Sequence, residues 1–204
     1  MTVVHSREGR RRRRPEEAER EILDAAEDLL RDDRFSALTV DELMSRTGLS
    51  RASFYVYFRD RHHLIMRLTE RIGSELFSMS ELWLRGSGDP LEDARAAVEG
   101  VAAVYSRHGP VLRAIADAST HDPDVEAIYH GLVERFVEAT AKRISEEIAA
   151  GRVRPLDARE TARALVWMNE RYLTHTLGQT PQEPTDTVVE TLWAIWVRAL
   201  YEHT

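Results

Sequence analysis

The chain has 204 residues, of which 43% are hydrophobic and 31% charged, and its formal net charge is −7 at pH 7. These values describe an ordinary globular protein, and no apolar run approaches the roughly 18 residues needed to cross a bilayer, so we expect no membrane partner and a cytoplasmic location. The absence of cysteine excludes a disulfide framework, a thiolate metal site and cysteine catalysis.

The charge is unevenly distributed along the chain. Residues 1–14 carry six arginines against Glu8, a net charge of +5, whereas residues 15–60 carry six basic and twelve acidic residues, and residues 61–204 carry 16 basic and 22 acidic ones. A basic segment pairs with phosphates and strengthens nucleic-acid binding in a salt-dependent way; the alternative is a solubilising, disordered end. We predict a flexible arm over residues 1–14 whose phosphate contacts come from Arg10, Arg11, Arg12, Arg13 and Arg14.

Three helices are predicted in the segment that follows the arm. Pro15, followed by two glutamates, is typical of a helix start, and apolar residues recur behind it at helical spacing. Thr39 begins a capping box at the start of a short second helix, and Ser50 caps the third. Two short helices with a glycine-containing turn between them are typical of a helix-turn-helix unit that binds DNA.

The outward face of the third predicted helix is small and uncharged. With Phe54 at the inward pole, a turn of about 100° per residue points Phe58 inward as well and places Ala52 and Val56 directly outward. Such a face suits base edges and thymine methyl groups better than solvent. The alternative is a small helical subdomain without a DNA role, on which Tyr55 is only a surface aromatic.

The same stretch carries a more specific pattern. Residues 39–58 read TVDELMSRTGLSRASFYVYF, and Arg59, Asp60 and Arg61 follow. This segment resembles the signature of the TetR family of transcriptional regulators, with Arg61 where lysine is usual and Ala52 where glycine is common. The resemblance implies a homodimer that binds a palindromic double-stranded DNA operator, and a variable C-terminal domain that holds a small effector. It makes DNA-contact candidates of Thr39, Arg51, Ser53, Tyr55, Tyr57 and Arg61.

The rest of the chain is predicted to form a helical body. Asp60 begins a long helix with apolar residues along one side, and residues 86–90 (GSGDP) interrupt the pattern. No later segment shows strand periodicity. The fold class is therefore all-α with about nine helices: a three-helix DNA-binding domain over residues 15–60, and an effector-binding and dimerisation domain over residues 61–204. The last five helices are expected at residues 90–106, 110–119, 124–150, 157–177 and 186–202.

The last predicted helix is apolar around most of its circumference and includes Val189, Trp193 and Ile195. One buried face cannot account for such a helix, so it is expected to contact its own domain on one side and a partner on another. The alternative is a helix fully inside the domain. The TetR resemblance implies that the partner is a second copy of the chain, joined through the last two helices of each subunit.

The preceding helix contains an amide, Asn169, among apolar residues. An apolar pocket with one well-placed amide can hold and orient a small hydrophobic ligand. Residues 167–171 (WMNER) and 193–197 (WAIWV) resemble the ethionamide-resistance-repressor subgroup of the TetR family, which implies that Asn169, Trp196 and Phe136 line an effector pocket. The alternative is that the amide is a structural hydrogen bonder and the aromatic residues are core. Helical spacing adds Tyr105, Trp167, Met168 and Tyr172 as candidates.

Patterns typical of enzymes and metal proteins are missing from the sequence. It shows no phosphate-binding loop and no Gly-x-Ser-x-Gly elbow, and the adjacent His62 and His63 point in different directions on a helix. We therefore predict no enzymatic activity, no metal and no cofactor. The predicted function is a TetR-type repressor that a small lipophilic ligand releases from its operator; the alternative is a helical ligand-binding or interaction protein without a DNA role.

Overall fold

The structure, a computed structural model, describes residues 14–32, 35, 38–86 and 88–201. Within these ranges it contains eight helices and no strand, which confirms the all-α prediction. Of the predicted basic arm, only Arg14 falls within the described residues. The helices are α1 (Pro15–Asp32), α2 (Val40–Ser45), α3 (Arg51–Tyr57), α4 (Arg61–Arg85), α5 (Pro90–Ser119), α6 (Pro123–Ala149), α7 (Ala158–Thr176) and α8 (Thr185–Leu200).

Helices α1 to α3 form the N-terminal head. α1 buries Ile22 and Leu29 and packs against α2, α4 and α5. The predicted caps of α2 and α3 are both formed: the Thr39 and Ser50 hydroxyls each accept a hydrogen bond from the backbone N–H three residues later, at 3.2 Å and 3.3 Å. These caps fix the two helix starts and therefore the direction of α3 relative to α2.

The long helix α4 connects the head to the body. The Asp60 side chain accepts a hydrogen bond from the His63 backbone N–H at 2.8 Å and so caps its start. Its end is set by Gly86, whose φ of 67° is left-handed, a conformation that glycine adopts without steric cost. The apolar stripe is buried as expected from Leu64 to Trp83, except that Met79 is 40% exposed.

The helices predicted at 90–106 and 110–119 are one continuous helix, α5, with Pro110 inside it. Proline lacks the N–H that would bond to the carbonyl four residues earlier, which is normally a reason for a helix to end. Here that carbonyl, Ser106 O, accepts a hydrogen bond from the Gln182 side-chain amide at 3.0 Å. A residue of the α7–α8 connection thus takes over the missing bond.

Helices α5 to α8 pack around a core that also includes the second half of α4. Asp122 and Asp157 cap α6 and α7, and Gly151 follows α6 with a φ of 72°. The observed bounds of α6, α7 and α8 agree with the predicted ones within two residues. In the part of the chain that the structure describes, no helix has the length and apolar content to span a bilayer.

Candidate functional site

The outward side of α3 forms what we call the reading face: Arg51, Ala52, Tyr55 and Val56. Tyr55 is 54% exposed and Val56 is 74% exposed, although both are large apolar or aromatic residues. On the opposite side Phe54 is fully buried. The orientation predicted from helical periodicity is therefore present, and an apolar surface of this kind is expected where a protein meets a partner.

Arg51 is positioned at one edge of this face by two neighbours. Its guanidinium forms an ion pair with Asp41 of α2, and the Tyr55 hydroxyl, followed by Asp41, raises the pKa of Arg51. Both members of the ion pair are exposed. A phosphate group that approaches Arg51 therefore competes with a carboxylate already in place.

The other head candidates have different surroundings. Thr39 is exposed but uses its hydroxyl to cap α2, and the half-buried Ser53 lies 2.9 Å from the Ser50 hydroxyl. Tyr57 is half-buried and packs against the core of the head. Of these three residues, only Thr39 is exposed.

Arg61, at the first position of α4, is held by the helical body. Its Nη2 atom lies 3.4 Å from Asp122 Oδ2, and its guanidinium lies over the Phe35 ring, 5.4 Å from the centroid. The same Asp122 oxygen lies 2.9 Å from His62 Nε2, a contact that contributes most to lowering the pKa of Asp122. The start of α6 and the start of α4 are thus joined through one carboxylate.

A second charged cluster joins α1 to α4 and α5 around Glu27. Its carboxylate lies 2.6 Å from Arg71 Nη2, 2.5 Å from His108 Nδ1 and 3.1 Å from Arg31 Nη2. Burial raises the pKa of Glu27, but the hydrogen bond and charge of His108 and the two arginines outweigh it, so the pKa lies below its usual value. Glu27 is therefore stabilised as a carboxylate between the head and the body.

The body encloses a cavity of about 110 Å³ between helices α4 to α8. One buried water molecule needs about 10–15 Å³ of such volume, so the cavity has room for a small organic molecule. Most of its wall is apolar or aromatic, which favours a lipophilic occupant. The α4 part of the wall is made by Leu76, Ser80, Trp83 and Leu84, and α5 contributes Ala94, Ala97, Val98, Val101, Tyr105 and Leu112.

One side of the cavity carries an aromatic pair with an amide. The Trp196 indole donates a hydrogen bond to Asn169 Oδ1 at 3.0 Å. Its ring meets that of Trp83 edge to face, with 5.4 Å between centroids. The Asn169 amide nitrogen keeps its two donors, so this side chain can both fix Trp196 and bind a ligand acceptor.

Comparison with known proteins identifies both parts of the chain. Residues 22–68 match the model of bacterial regulatory proteins of the tetR family, and residues 94–202 match the model described as transcriptional regulator EthR, C-terminal domain. The HTH-type transcriptional regulator EthR of Mycobacterium tuberculosis is 31% identical over 199 residues, which cover 95% of this chain and 92% of the relative. The chain belongs to the TetR family.

Solved structures share the TetR fold across most of the chain. A protein assigned to the TetR family from Syntrophomonas wolfei has a TM-score of 0.80 at 13% identity, with 91% of this chain and 96% of that one covered. AibR, in complex with isovaleryl coenzyme A and operator DNA, has a TM-score of 0.67 at 14% identity, with 87% and 97% covered. TetR regulators bind operator DNA and small effectors, typically as dimers. The prediction of a TetR-type transcriptional regulator rather than an enzyme is confirmed.

The structure brings some of the predicted ligand residues of this TetR-family chain to the cavity. Asn169, Trp196, Phe136 and Tyr105 line it. Outside its lining lie Trp167, Met168 and Tyr172; the first of these packs against Tyr129 and His130 instead, with ring centroids 6.3 Å and 5.3 Å away.

Four polar residues of the cavity lining were not predicted from the sequence: Ser80, Tyr129, Thr140 and Glu170. Of these, Glu170 and Tyr129 are only about 5–6% exposed. Glu170 stands between Asn169 and Arg171 and looks like part of an ordinary charged segment. Helical spacing was an available signal, since Glu170 lies four residues after Val166 and three before Leu173, and both of these apolar residues line the cavity.

One group of possible metal ligands is present among the described residues. Ligand atoms of His62, Asp122 and Asp124 lie within 4.8 Å of one another. This group was not predicted from the sequence because the two acidic residues lie at the start of α6, about 60 residues after His62. Arg61 shares the Asp122 carboxylate, and its positive charge opposes a cation there. The absence of a metal site stays a prediction.

The outer side of α8 remains partly apolar in the single subunit. Val188, Leu192 and Leu200 are buried in the core, whereas Ile195 is 38% exposed and Trp193 is half-buried. Arg95 covers part of the Trp193 ring, with its guanidinium carbon 5.8 Å from the centroid. A terminal helix with apolar residues on both sides is what a helix-bundle dimer requires.

Proposed function

We propose that this TetR-family protein acts in the cytoplasm as a repressor: a dimer binds a palindromic operator through its two α3 helices, and a small lipophilic molecule in the cavity lowers the affinity for DNA. The observation that carries this proposal is that α4 extends from the head to the cavity. Arg67 and Arg71 in its first half form ion pairs with Glu19 and Asp24 of α1 in the head. Leu76, Ser80 and Trp83 in its second half line the cavity. One helix therefore connects the two binding sites.

The DNA contacts are divided between base and phosphate recognition. Ala52 and Val56 are suited to thymine methyl groups and base edges in the major groove. Phosphate contacts, which position the protein without reading sequence, are proposed for Arg61 and for the basic arm, residues 10–14. Direct hydrogen bonds to the operator are proposed for Thr39, Arg51, Ser53, Tyr55 and Tyr57.

The cavity is the proposed effector site. Its apolar wall provides binding free energy through burial of lipophilic surface, and Asn169 and Trp196 orient the ligand, together with Phe136 and Tyr105. Trp167, Met168 and Tyr172 are outside the lining, pack against the core and are proposed to shape the cavity. The structure of AibR with isovaleryl coenzyme A and operator DNA supports a fold that accommodates both kinds of partner.

Coupling between the sites is proposed to run through α4. A ligand changes DNA affinity only if it binds one spacing of the two heads better than the other. A ligand that displaces Leu76 or Trp83 shifts the second half of α4, and the helix carries the shift to its first turn, where Arg61 and His62 contact Asp122 of α6. The repressor state is then the one with the smaller cavity.

Dimerisation is proposed to bury the outer sides of α7 and α8, as the sequence predicted. Replacing Ile195 with glutamate introduces a charge into that contact and should convert the dimer to a monomer in sedimentation velocity. The matched control is Leu82→Glu, which changes an exposed leucine on α4 (58% exposed) in the same way. If both variants remain dimeric, the interface lies elsewhere.

The DNA-binding test uses the full chain and double-stranded DNA from the region beside its own gene. Fluorescence anisotropy should show tighter binding to that DNA than to a shuffled duplex of equal length, with an affinity that falls steeply as salt rises. Equal affinity for both duplexes, or no salt dependence, would indicate an interaction protein without an operator.

A further inference from the structure

The cavity wall carries a buried carboxylate without a close cation. Glu170 is 6% exposed, and its Oε1 accepts a hydrogen bond from the Thr174 hydroxyl at 2.8 Å. Its Oε2 is buried, and no hydrogen bond of good geometry reaches it among the described residues. The nearest cation, Arg171 Nε, is 3.8 Å away on a side chain that is 66% exposed, which is beyond hydrogen-bond distance.

Tyr129, on α6, places a second buried polar atom at the same wall. No hydrogen bond of good geometry reaches its hydroxyl among the described residues, but it faces the Glu170 carboxylate, to which it can donate. Burial, followed by the hydrogen bond to Glu170, raises the pKa of Tyr129, and burial followed by the Glu170 charge raises the pKa of Tyr105. Both phenols are therefore neutral, and neither supplies a positive charge to the carboxylate.

A buried carboxylate in a native protein almost always has a partner of opposite charge. The Thr174 and Tyr129 hydroxyls are neutral donors, and the Arg171 guanidinium lies beyond hydrogen-bond distance. Glu170 Oε2 therefore keeps an accepting lone pair and has no close cation. Asn169 Oδ1 at the same wall accepts one bond, from Trp196, and has a second lone pair. A ligand group that matches these acceptors is a donor, and a cationic donor also matches the charge of the carboxylate.

We propose that the effector is a lipophilic amine, whose nitrogen donates hydrogen bonds to Glu170 Oε2 and Tyr129 Oη while its apolar part fills the cavity. This inference rests on the proposed function, because it names the ligand class of the same site. An ammonium group offers three donors and is attracted by the aromatic faces of the wall. A carboxylic acid of the same size meets the Glu170 charge without a compensating donor, and an alcohol offers one donor only.

The first test compares three six-carbon probes on the unmodified full chain by isothermal titration calorimetry at neutral pH: hexylamine, hexan-1-ol and hexanoate. Hydrogen bonds that involve a charged group lead us to expect about 10-fold or tighter binding of hexylamine than of hexan-1-ol, with hexanoate weakest. Equal affinity of hexylamine and hexan-1-ol, or a preference for hexanoate, overturns the inference and leaves the cavity as an effector site.

The second test uses Glu170→Gln, which keeps the side-chain shape. Hexylamine affinity should fall about 10-fold while hexan-1-ol affinity stays within about 2-fold, which also shows that the cavity is intact. Glu160→Gln makes the same charge change at an exposed position of α7 and should leave both affinities unchanged. A preference for the amine that survives in Glu170→Gln overturns the proposed role of Glu170.

The outcomes separate the inference from the proposed function. If hexan-1-ol binds and weakens the operator complex but hexylamine does no better, only the amine inference fails. If none of the three probes binds while the protein still binds its operator, the cavity is not the effector site and both fail.

Discussion

The proposed reading face and the proposed effector cavity differ in physical character. On α3, Val56 is exposed to solvent and Arg51 forms an exposed ion pair with Asp41, so we expect binding there to depend on charge and to be screened by salt. In the cavity most of the wall is apolar, and one carboxylate, Glu170, lies in it. A hydrogen bond is stronger in such a low-dielectric site than at the surface. The residues of each site can therefore be tested separately.

The largest expected effect comes from removing the polar part of the reading face. The double variant Arg51→Ala, Tyr55→Ala should lose about 100-fold in operator affinity, because each side chain removes contacts to bases or phosphates. Anisotropy at fixed salt measures this loss. Hexan-1-ol affinity and the thermal midpoint should change little, since both side chains are exposed. An equal loss of hexan-1-ol affinity would show that the variant changes the cavity as well as the reading face.

The complementary change fills the cavity. Ala97→Phe places a ring into the α5 wall and should weaken hexan-1-ol binding by about 10-fold because the ligand and the new ring compete for one space. Operator affinity without ligand should fall as well, because the ring fills the space whose occupation is proposed to lower the affinity for DNA. Ala96→Phe, at the adjacent exposed position, is the control and should affect neither. Calorimetry and anisotropy on the same samples decide the outcome.

The charged cluster between head and body is expected to contribute stability rather than recognition. Glu27→Gln removes the carboxylate shared by His108, Arg71 and Arg31 and should lower the free energy of unfolding by about 1–2 kcal/mol at neutral pH. Urea denaturation measures it. Asp28→Asn, which removes a mostly exposed carboxylate paired with the same Arg31, should cost less than about 0.5 kcal/mol.

The same cluster predicts a pH dependence with a definite sign. Because the folded-state pKa of Glu27 lies below its usual 4.5, its stabilising contribution is complete above pH 4.5 and is lost as the pH falls through the lowered value. Unfolding free energies measured from pH 6 downward should therefore fall less steeply in Glu27→Gln than in the unmodified protein. Parallel curves would show that Glu27 has an ordinary pKa.

The smallest expected effect sharpens the role of Arg51. Asp41→Asn releases its guanidinium and removes a negative charge beside the reading face, so operator affinity should rise about 3-fold at low salt and less at high salt. Asp117→Asn on α5, another exposed aspartate in an ion pair, is the matched control. A fall in affinity would mean that Asp41 positions Arg51 for DNA.

The sequence predicted local features correctly, but it wrongly divided α5 into two helices. The cap residues Thr39 and Ser50 and the inward Phe54 followed from patterns that span a few residues. Pro110 indicated a break between two helices. The prediction was wrong because Gln182, on the distant α7–α8 connection, donates the hydrogen bond that proline cannot supply. No local pattern reports a hydrogen bond of that kind.

The cavity residues divide in the same way. Asn169, Trp196, Phe136 and Tyr105 were predicted from family resemblance and helical spacing, and they line the cavity. Trp167 was predicted by spacing on α7 but faces α6, because an error of one residue in a helix rotates a side chain by about 100°. The roles of these residues in ligand binding stay predictions.

The sequence by itself determined the family, the all-helical class and the orientation of the reading face, since each depends on residues close together in the chain. Only the tertiary structure decided which face of α7 meets the cavity, and therefore that Glu170 and Tyr129 leave two buried polar atoms there. It also decided that one helix, α4, contacts the head and contributes to the cavity wall. Contacts between helices depend on packing angles and side-chain volumes summed over the whole core, which no short stretch of sequence contains.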